Sequence, residues 1–105
     1  MRGKFILAEL PGLLHELPED LVVFAEEPWI PGANAMLLRL EPDFPVPEDI
    51  KKSTFRYFLE LSIIREFIDD LRAAGLTEAE QLKVIIHYAT YDAFPDWLLE
   101  RSRFR

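Results

Sequence analysis

The sequence contains no cysteine among its 105 residues. This absence excludes a disulfide framework, a thiolate metal site and a cysteine nucleophile. A protein without disulfides fits a reducing compartment, so we expect a cytoplasmic location.

Long apolar runs are also absent. No stretch approaches the roughly 20 uncharged residues that a membrane-spanning helix needs. The apolar run after Lys4 stops at Glu9, short of the roughly 7–15 residues in the core of a secretion signal. We therefore expect neither membrane insertion nor export.

Residues that carry common catalytic motifs are few. The four glycines are isolated, so there is no glycine-rich phosphate loop, and the three serines lie outside known nucleophile motifs. His15 and His87 lack the spacing and the third ligand of a metal site. For His87 a structural role and a general-base role both stay open, and we favour a half-buried structural histidine. We predict no enzyme activity, no metal and no cofactor.

The sequence does have an excess of acidic residues, and this excess lies in its first half. Residues 1–50 hold ten acidic and three basic residues, whereas residues 51–105 hold nine of each, so the whole net charge of -7 lies in the first half. Such a surface repels nucleic-acid phosphates and anionic lipid headgroups and attracts basic partners. We expect a protein partner and no nucleic acid or membrane.

Half of the residues are hydrophobic, which is enough to build one compact domain over residues 1–105. Leucines at helical spacing predict a first helix over residues 7–17. Two β-prone runs, Leu21–Ala25 and Ala35–Leu40, predict two strands, and the alternation over Phe55–Leu61 predicts a third. The proline-rich stretches between them, 28–34 and 41–49, predict loops.

The second half of the chain predicts two helices. Ser62 is the expected N-cap of the first and Gly75 its C-cap, with Phe67 in the buried stripe. Thr77 to Glu80 matches a capping box that starts a helix over 78–92, with Ile85 in the core, and one further turn is expected after Pro95.

The order α-β-β-β-α-α predicts an α+β fold, with a small three-stranded antiparallel sheet covered on one face by helices. Strict alternation would leave the other sheet face open, carrying Arg56, Phe58, Glu60, Arg39 and Leu37. This face is either a contact surface or, as we favour, a solvated face with one exposed aromatic side chain.

Three short stretches resemble a family of small acidic bacterial proteins, which are domains of unknown function. They are Leu17 to Phe24 with its proline-acid pair, Glu27-Pro28-Trp29, and Tyr88 to Phe94, within a match over about residues 7–97. The resemblance implies a strand after the proline-acid pair, a tryptophan that closes the next turn, and a last helix ended by the aromatic block. Proteins of this style resemble immunity proteins, which neutralise a toxin by covering its basic surface.

We therefore expect a protein-binding module of immunity type that binds a basic protein, with a toxin as the model for that partner. The acidic loops are the expected recognition surface because they place acids beside aromatic anchors. The alternative is a self-associating structural or regulatory domain, which would be a homodimer. The expected partner-binding residues are Glu26, Glu27, Trp29, Asp43, Phe44, Glu48, Asp49 and Phe58.

Overall fold

The computed structural model describes residues 4–13, 16–18, 20–39 and 46–99. The strands in these ranges are β1 (Lys4–Ile6), β2 (Leu21–Glu26), β3 (Asn34–Arg39) and β4 (Phe55–Glu60). A 3-10 turn spans Leu7–Glu9, and the helices are α1 (Leu10–Leu13), α2 (Glu48–Lys51), α3 (Leu61–Ala73), α4 (Glu78–Tyr91) and α5 (Asp96–Leu99).

The strands form one antiparallel sheet in the order β1-β3-β2-β4. The predicted α+β class and antiparallel sheet are confirmed. The predicted number of three strands and the predicted element order are wrong, because β1 is a further strand at the edge beside β3. β1 has only three residues, and in the sequence its apolar side chains run on into the leucines that follow, so no alternation marks it.

The first helix is shorter than predicted. Leu7–Glu9 adopt a 3-10 turn, α1 covers only Leu10–Leu13, and residues 16–18 are not α-helical. Leu7 and Leu10 are nevertheless fully buried. The leucine spacing thus identified the buried side chains correctly but overestimated the length of the helix.

Both faces of the sheet are covered. On one face Leu21, Val23 and Ala25 of β2 pack in the main core with residues of α3 and α4. On the other face Val22 and Phe24 belong to a second apolar cluster, completed by Met36, Leu38 and Ile50. Ile50 comes from α2, where the sequence predicted only a loop. The expected open sheet face is therefore wrong, and Leu37, expected there, is buried in the main core.

A β-bulge in β4 changes which of its side chains are buried. Val23 pairs with Leu59, but the next residue of β2, Phe24, pairs with Tyr57, so Phe58 is the extra residue. Phe58 is only 1% exposed, whereas Tyr57 is 49% exposed. The prediction that Phe58 lies on an open face and Tyr57 under the helices is wrong, because a bulge breaks the period-2 rule on which it depended.

α3 follows β4 without a loop. Its N-cap is Glu60, which makes no side-chain hydrogen bond to the helix, and Ser62 lies inside the first turn. The predicted capping by Ser62 is wrong. Ile64 and Ile68 form the buried stripe with Leu71, while Phe67 beside them is half-buried rather than in the core.

The end of α3 confirms the role predicted for Gly75. This glycine has a φ of 86°, in the left-handed region. Its N–H donates to the Arg72 carbonyl at 3.0 Å, and the Leu76 N–H donates to the Leu71 carbonyl at 3.1 Å. Two such bonds satisfy carbonyls at the helix end, and glycine adopts this conformation at least cost.

α4 begins with the predicted capping box. The Glu80 N–H donates to the Thr77 hydroxyl at 3.2 Å, and the Thr77 N–H donates to the Glu80 carboxylate at 3.0 Å. The helix ends at Tyr91, where Asp92 adopts a left-handed φ of 55°. Ile85 is fully buried, as predicted.

A third apolar cluster joins α3, α4 and α5. It contains Leu71, Ala74, Leu76, Val84 and Leu98. Beside it, the rings of Phe67, Tyr88 and Phe94 lie 4.7 to 5.3 Å apart by centroid. Leu98 of α5 is fully buried, so the turn predicted after Pro95 is confirmed and packs on the body of the protein.

In the ranges given above, no helix has the length and apolar character required to cross a bilayer.

Candidate functional site

A cleft of about 760 Å³ lies between the β2–β3 loop and α4. We call it the Trp29 groove. The loop wall consists of Glu27 to Pro31, and the helix wall consists of Lys83, Ile86, His87, Ala89, Thr90 and Tyr91. Two of the predicted partner-binding residues, Glu27 and Trp29, line it.

Trp29 joins the groove to the core. Its indole Nε1–H donates to the Ala25 carbonyl at 3.2 Å, and its ring meets the Phe58 ring edge-on, with centroids 5.1 Å apart. The side chain is half-buried against the main core. Packing against the core and lining the groove are compatible for this tryptophan, because one part of the ring is fixed and another part lines the groove.

Backbone bonds from the 3-10 turn hold the loop wall. The Leu7 N–H donates to the Ala33 carbonyl at 3.0 Å, and the Ala8 N–H donates to the Pro31 carbonyl at 2.8 Å. Within the loop, the Ala33 N–H donates to the Ile30 carbonyl at 2.9 Å. The Glu27–Pro28 peptide bond is cis. The wall is thus a defined surface anchored at several points.

The helix wall presents residues at i, i+4 and i+8 of α4. Lys83, His87 and Tyr91 therefore follow one another along the same side of the helix. The His87 Nδ1 lies 2.8 Å from the Ala93 carbonyl, and because a carbonyl only accepts, Nδ1 carries the proton. The His87 and Tyr91 rings are 4.7 Å apart and tilted by 50°. This half-buried histidine with a backbone partner has the geometry that we favoured from the sequence.

The groove exposes large apolar side chains. Ile30 is 52% exposed on the loop wall and Tyr91 is 68% exposed on the helix wall. Together with the accessible part of Trp29, they give the groove an exposed apolar and aromatic surface. Aromatic side chains of this kind are common anchors in protein interfaces.

Sequence reasoning missed Ile30, His87 and Tyr91 as members of one site. The helical spacing of His87 and Tyr91 placed them on one side of α4. Nothing in the sequence indicated that the β2–β3 loop would pack beside them.

The predicted acidic residues do not form one surface. Glu27 is exposed in the Trp29 groove, whereas Glu48 and Asp49 lie in α2, on the other side of the sheet. Asp43 and Phe44 lie outside the described residues. Phe58 is buried beneath Trp29, so it supports the groove from inside and presents no surface to a partner.

Glu26 has a structural partner on each side. Its carboxylate accepts a hydrogen bond from the Asn34 amide at 2.7 Å and another from the Thr54 hydroxyl. These bonds, first that of Thr54 and then that of Asn34, hold the pKa of Glu26 below its ordinary value. Glu26 therefore connects the end of β2 to the start of β3 and to the residue before β4.

Among the residues that the structure describes, no group of three histidine, aspartate or glutamate side chains is placed to hold a metal ion. Tyr57 has a raised pKa because its phenol is partly desolvated. Its ring meets the Phe24 ring edge-on at 6.1 Å, on the sheet face opposite α3 and α4.

Comparison of this chain with profiles of known protein families, with characterised proteins and with solved structures finds no match.

Proposed function

We propose that this chain is a protein-binding module of immunity type, which binds and neutralises a basic protein partner through the Trp29 groove. The observation that carries the proposal is the exposure of Ile30 and Tyr91 on the two walls of a cleft that Trp29 also lines. Aromatic side chains in a concave site supply most of the binding energy of typical protein interfaces.

Charge has a different part in the proposal. The excess of acid in the first fifty residues attracts a basic protein over distances of about 10 Å or less at physiological salt. Glu48 and Glu27 lie on different sides of the sheet, so the negative charge is spread over the surface. The charge alone therefore does not determine which face of the protein the partner contacts. The charge accelerates encounter, and the groove gives affinity.

The proposed role is binding without catalysis, in the cytoplasm. The side chain closest in type to a catalytic base, His87, already donates its Nδ1 proton to a backbone carbonyl. Within the part of the chain that the structure describes, neither Glu27 nor Lys83 is hydrogen-bonded to a nucleophilic side chain.

Site-specific cross-linking tests the proposal. A photoreactive phenylalanine analogue replaces Tyr91 in the full chain, expressed in the organism from which the sequence comes. The matched control carries the same analogue at Lys51, an exposed position of α2 on the other side of the sheet. We expect the Tyr91 position, and not the Lys51 position, to cross-link a protein rich in lysine and arginine.

The captured protein is then purified and titrated with the unmodified chain. Tyr91→Ala should weaken binding by about tenfold or more, and Lys51→Ala should leave it unchanged. Equal cross-linking from both positions, or an unchanged affinity of Tyr91→Ala, would contradict the proposal. A cross-link from Tyr91 to a second copy of this chain would instead support the self-associating alternative.

A further inference from the structure

The hydrogen-bonding groups of the Trp29 groove are unequally available. Three side-chain donors that line it are already committed to backbone carbonyls: the indole Nε1 of Trp29 to Ala25, Nδ1 of His87 to Ala93, and the hydroxyl of Thr90 to Ile86. The three distances are 3.2, 2.8 and 2.7 Å. The prolines of the loop wall, Pro28 and Pro31, have no N–H to donate.

By contrast, two side-chain hydrogen-bond acceptors in the groove have no partner among the described residues. The Glu27 carboxylate makes no hydrogen bond or ion pair with any part of the chain that the structure describes. Because Nδ1 of His87 donates to the Ala93 carbonyl, Nε2 is the ring nitrogen that can accept in that tautomer. The donors that stay available are the ammonium of Lys83 and the hydroxyl of Tyr91.

The groove also offers aromatic faces. Tyr91 is largely exposed and Trp29 is half-exposed, and both line the same cleft as the free carboxylate. An aromatic face attracts a cation through its quadrupole, and a carboxylate nearby adds a charge-assisted hydrogen bond. A donor-rich, planar cation satisfies both requirements.

We infer that the Trp29 groove binds an arginine side chain of the partner, with the guanidinium stacked on the aromatic faces and paired with Glu27. This inference rests on the proposed function and specifies its ligand. Arginine fits better than lysine because the guanidinium is planar, stacks on aromatic rings and presents several donors to a carboxylate.

Lys83 gives the inference its sharpest test. It lies eight residues before Tyr91, which is about 12 Å along the helix, so it leaves room for a cation near Tyr91. Its charge nevertheless repels a bound cation and would attract a bound anion. Removal of that charge must tighten cation binding, and it must weaken anion binding.

Short peptides serve as probes: acetyl-Gly-Gly-Arg-Gly-Gly-amide and the same peptide with lysine or citrulline at the centre. Citrulline keeps the size and shape of arginine but has no charge. Binding to the full ¹⁵N-labelled chain is followed by the indole N–H resonance of Trp29. We expect binding of the arginine peptide, with affinity about threefold lower for lysine and about tenfold lower for citrulline.

Variants then assign the contacts. Glu27→Gln should weaken binding of the arginine peptide by about fivefold or more, whereas Glu48→Gln, the same charge change on α2, should leave it within about 1.5-fold. Tyr91→Leu should weaken it by about fivefold and Tyr91→Phe by less than twofold, because the ring face and not the hydroxyl makes the contact. Lys83→Gln should tighten it by about twofold.

Three outcomes would overturn the inference: equal affinity for arginine and citrulline, equal losses in Glu27→Gln and Glu48→Gln, or weaker binding in Lys83→Gln. An unshifted Trp29 resonance with the arginine peptide would also overturn it. If Tyr91 cross-links a basic protein while the arginine peptide fails to bind, the proposed function stands and only the arginine inference fails. The chemical-shift dispersion in the spectrum of each variant serves as the control that the variant is folded.

Discussion

The indole of Trp29 stands edge-on against the ring of Phe58, with centroids 5.1 Å apart and ring planes at 83°. Phe58 is the extra residue of the bulge in β4, and it is almost completely buried. An irregularity in an edge strand thus supplies the support for the aromatic side chain at the centre of the groove.

Phe58→Ala should destabilise the protein by about 3–5 kcal/mol, because it leaves a cavity in the main core. Tyr57→Ala at the neighbouring position should cost about 1 kcal/mol, since that ring is half-exposed and mainly loses its contact with Phe24. Urea denaturation measures both. The reverse ranking would mean that β4 alternates regularly and has no bulge.

Glu26 should make stability depend on acid pH. Its pKa in the folded protein lies below its ordinary value because of the bonds from Thr54 and Asn34. Its contribution is therefore fully present above the unfolded pKa and is lost as the pH falls through the lower folded pKa. Glu26→Gln should flatten the part of the stability profile that lies below the ordinary pKa of a glutamate. Thr54→Val should reduce the slope without abolishing it, and an unchanged profile in Glu26→Gln would refute the assignment.

Gln81 is 2% exposed, and its side-chain Nε2–H donates to the Leu76 carbonyl at 2.9 Å. Its Oε1 has no partner among the described residues. Gln81→Glu should therefore cost about 3 kcal/mol or more at neutral pH, because a buried carboxylate would face that carbonyl. The cost should shrink in acid, where the protonated group can donate. Gln81→Met, which loses one bond and buries no charge, should cost about 1 kcal/mol. Equal unfolding midpoints for these two variants at pH 7 would count against this prediction.

Gly75→Ala should destabilise the protein by about 1–2 kcal/mol, since alanine is strained at a φ of 86°. Gly32→Ala is the matched control, because Gly32 has no positive φ and an added Cβ would meet no atom within 4 Å. It should be neutral or stabilise by about 0.4–1 kcal/mol through the unfolded state. Thermal unfolding of the two variants measures the difference, and equal midpoints for Gly75→Ala and Gly32→Ala would contradict the prediction.

Charge reversal should separate steering from contact once a basic partner is available. Reversal of Glu26, Glu27, Glu48 and Asp49 to lysine together should slow association sharply at low salt and less at high salt. Among single variants, Glu27→Lys should also raise the dissociation rate, whereas Glu48→Lys should change only the association rate. Stopped-flow kinetics at two ionic strengths measures both rates. If the variant with all four charges reversed associates at low salt as fast as the native protein, the steering hypothesis is wrong.

The sequence predicted those parts of the fold that depend on local chemistry. The capping box at Thr77, the glycine at position 75 and the buried Ile85 each follow from a few neighbouring residues, and each is confirmed. β2 and β3 were found within one residue at each end, because β-prone runs bounded by prolines and acids mark them.

What escaped prediction depends on contacts between distant segments. β1 is a strand only because β3 lies beside it, and the bulge at Phe58 exists only relative to β2. The groove has the same origin, since Trp29 was identified in the sequence but its neighbours on α4 were not. The covering of the second sheet face by Ile50 likewise requires α2 to fold back over β2.

The two walls of the Trp29 groove are more than fifty residues apart in the sequence, and the 3-10 turn that anchors the loop wall precedes both. During synthesis the loop wall leaves the ribosome before α4, so the groove does not exist until α4 has followed it. On the proposed function, a chain interrupted before α4 therefore has no Trp29 groove and should not bind the partner.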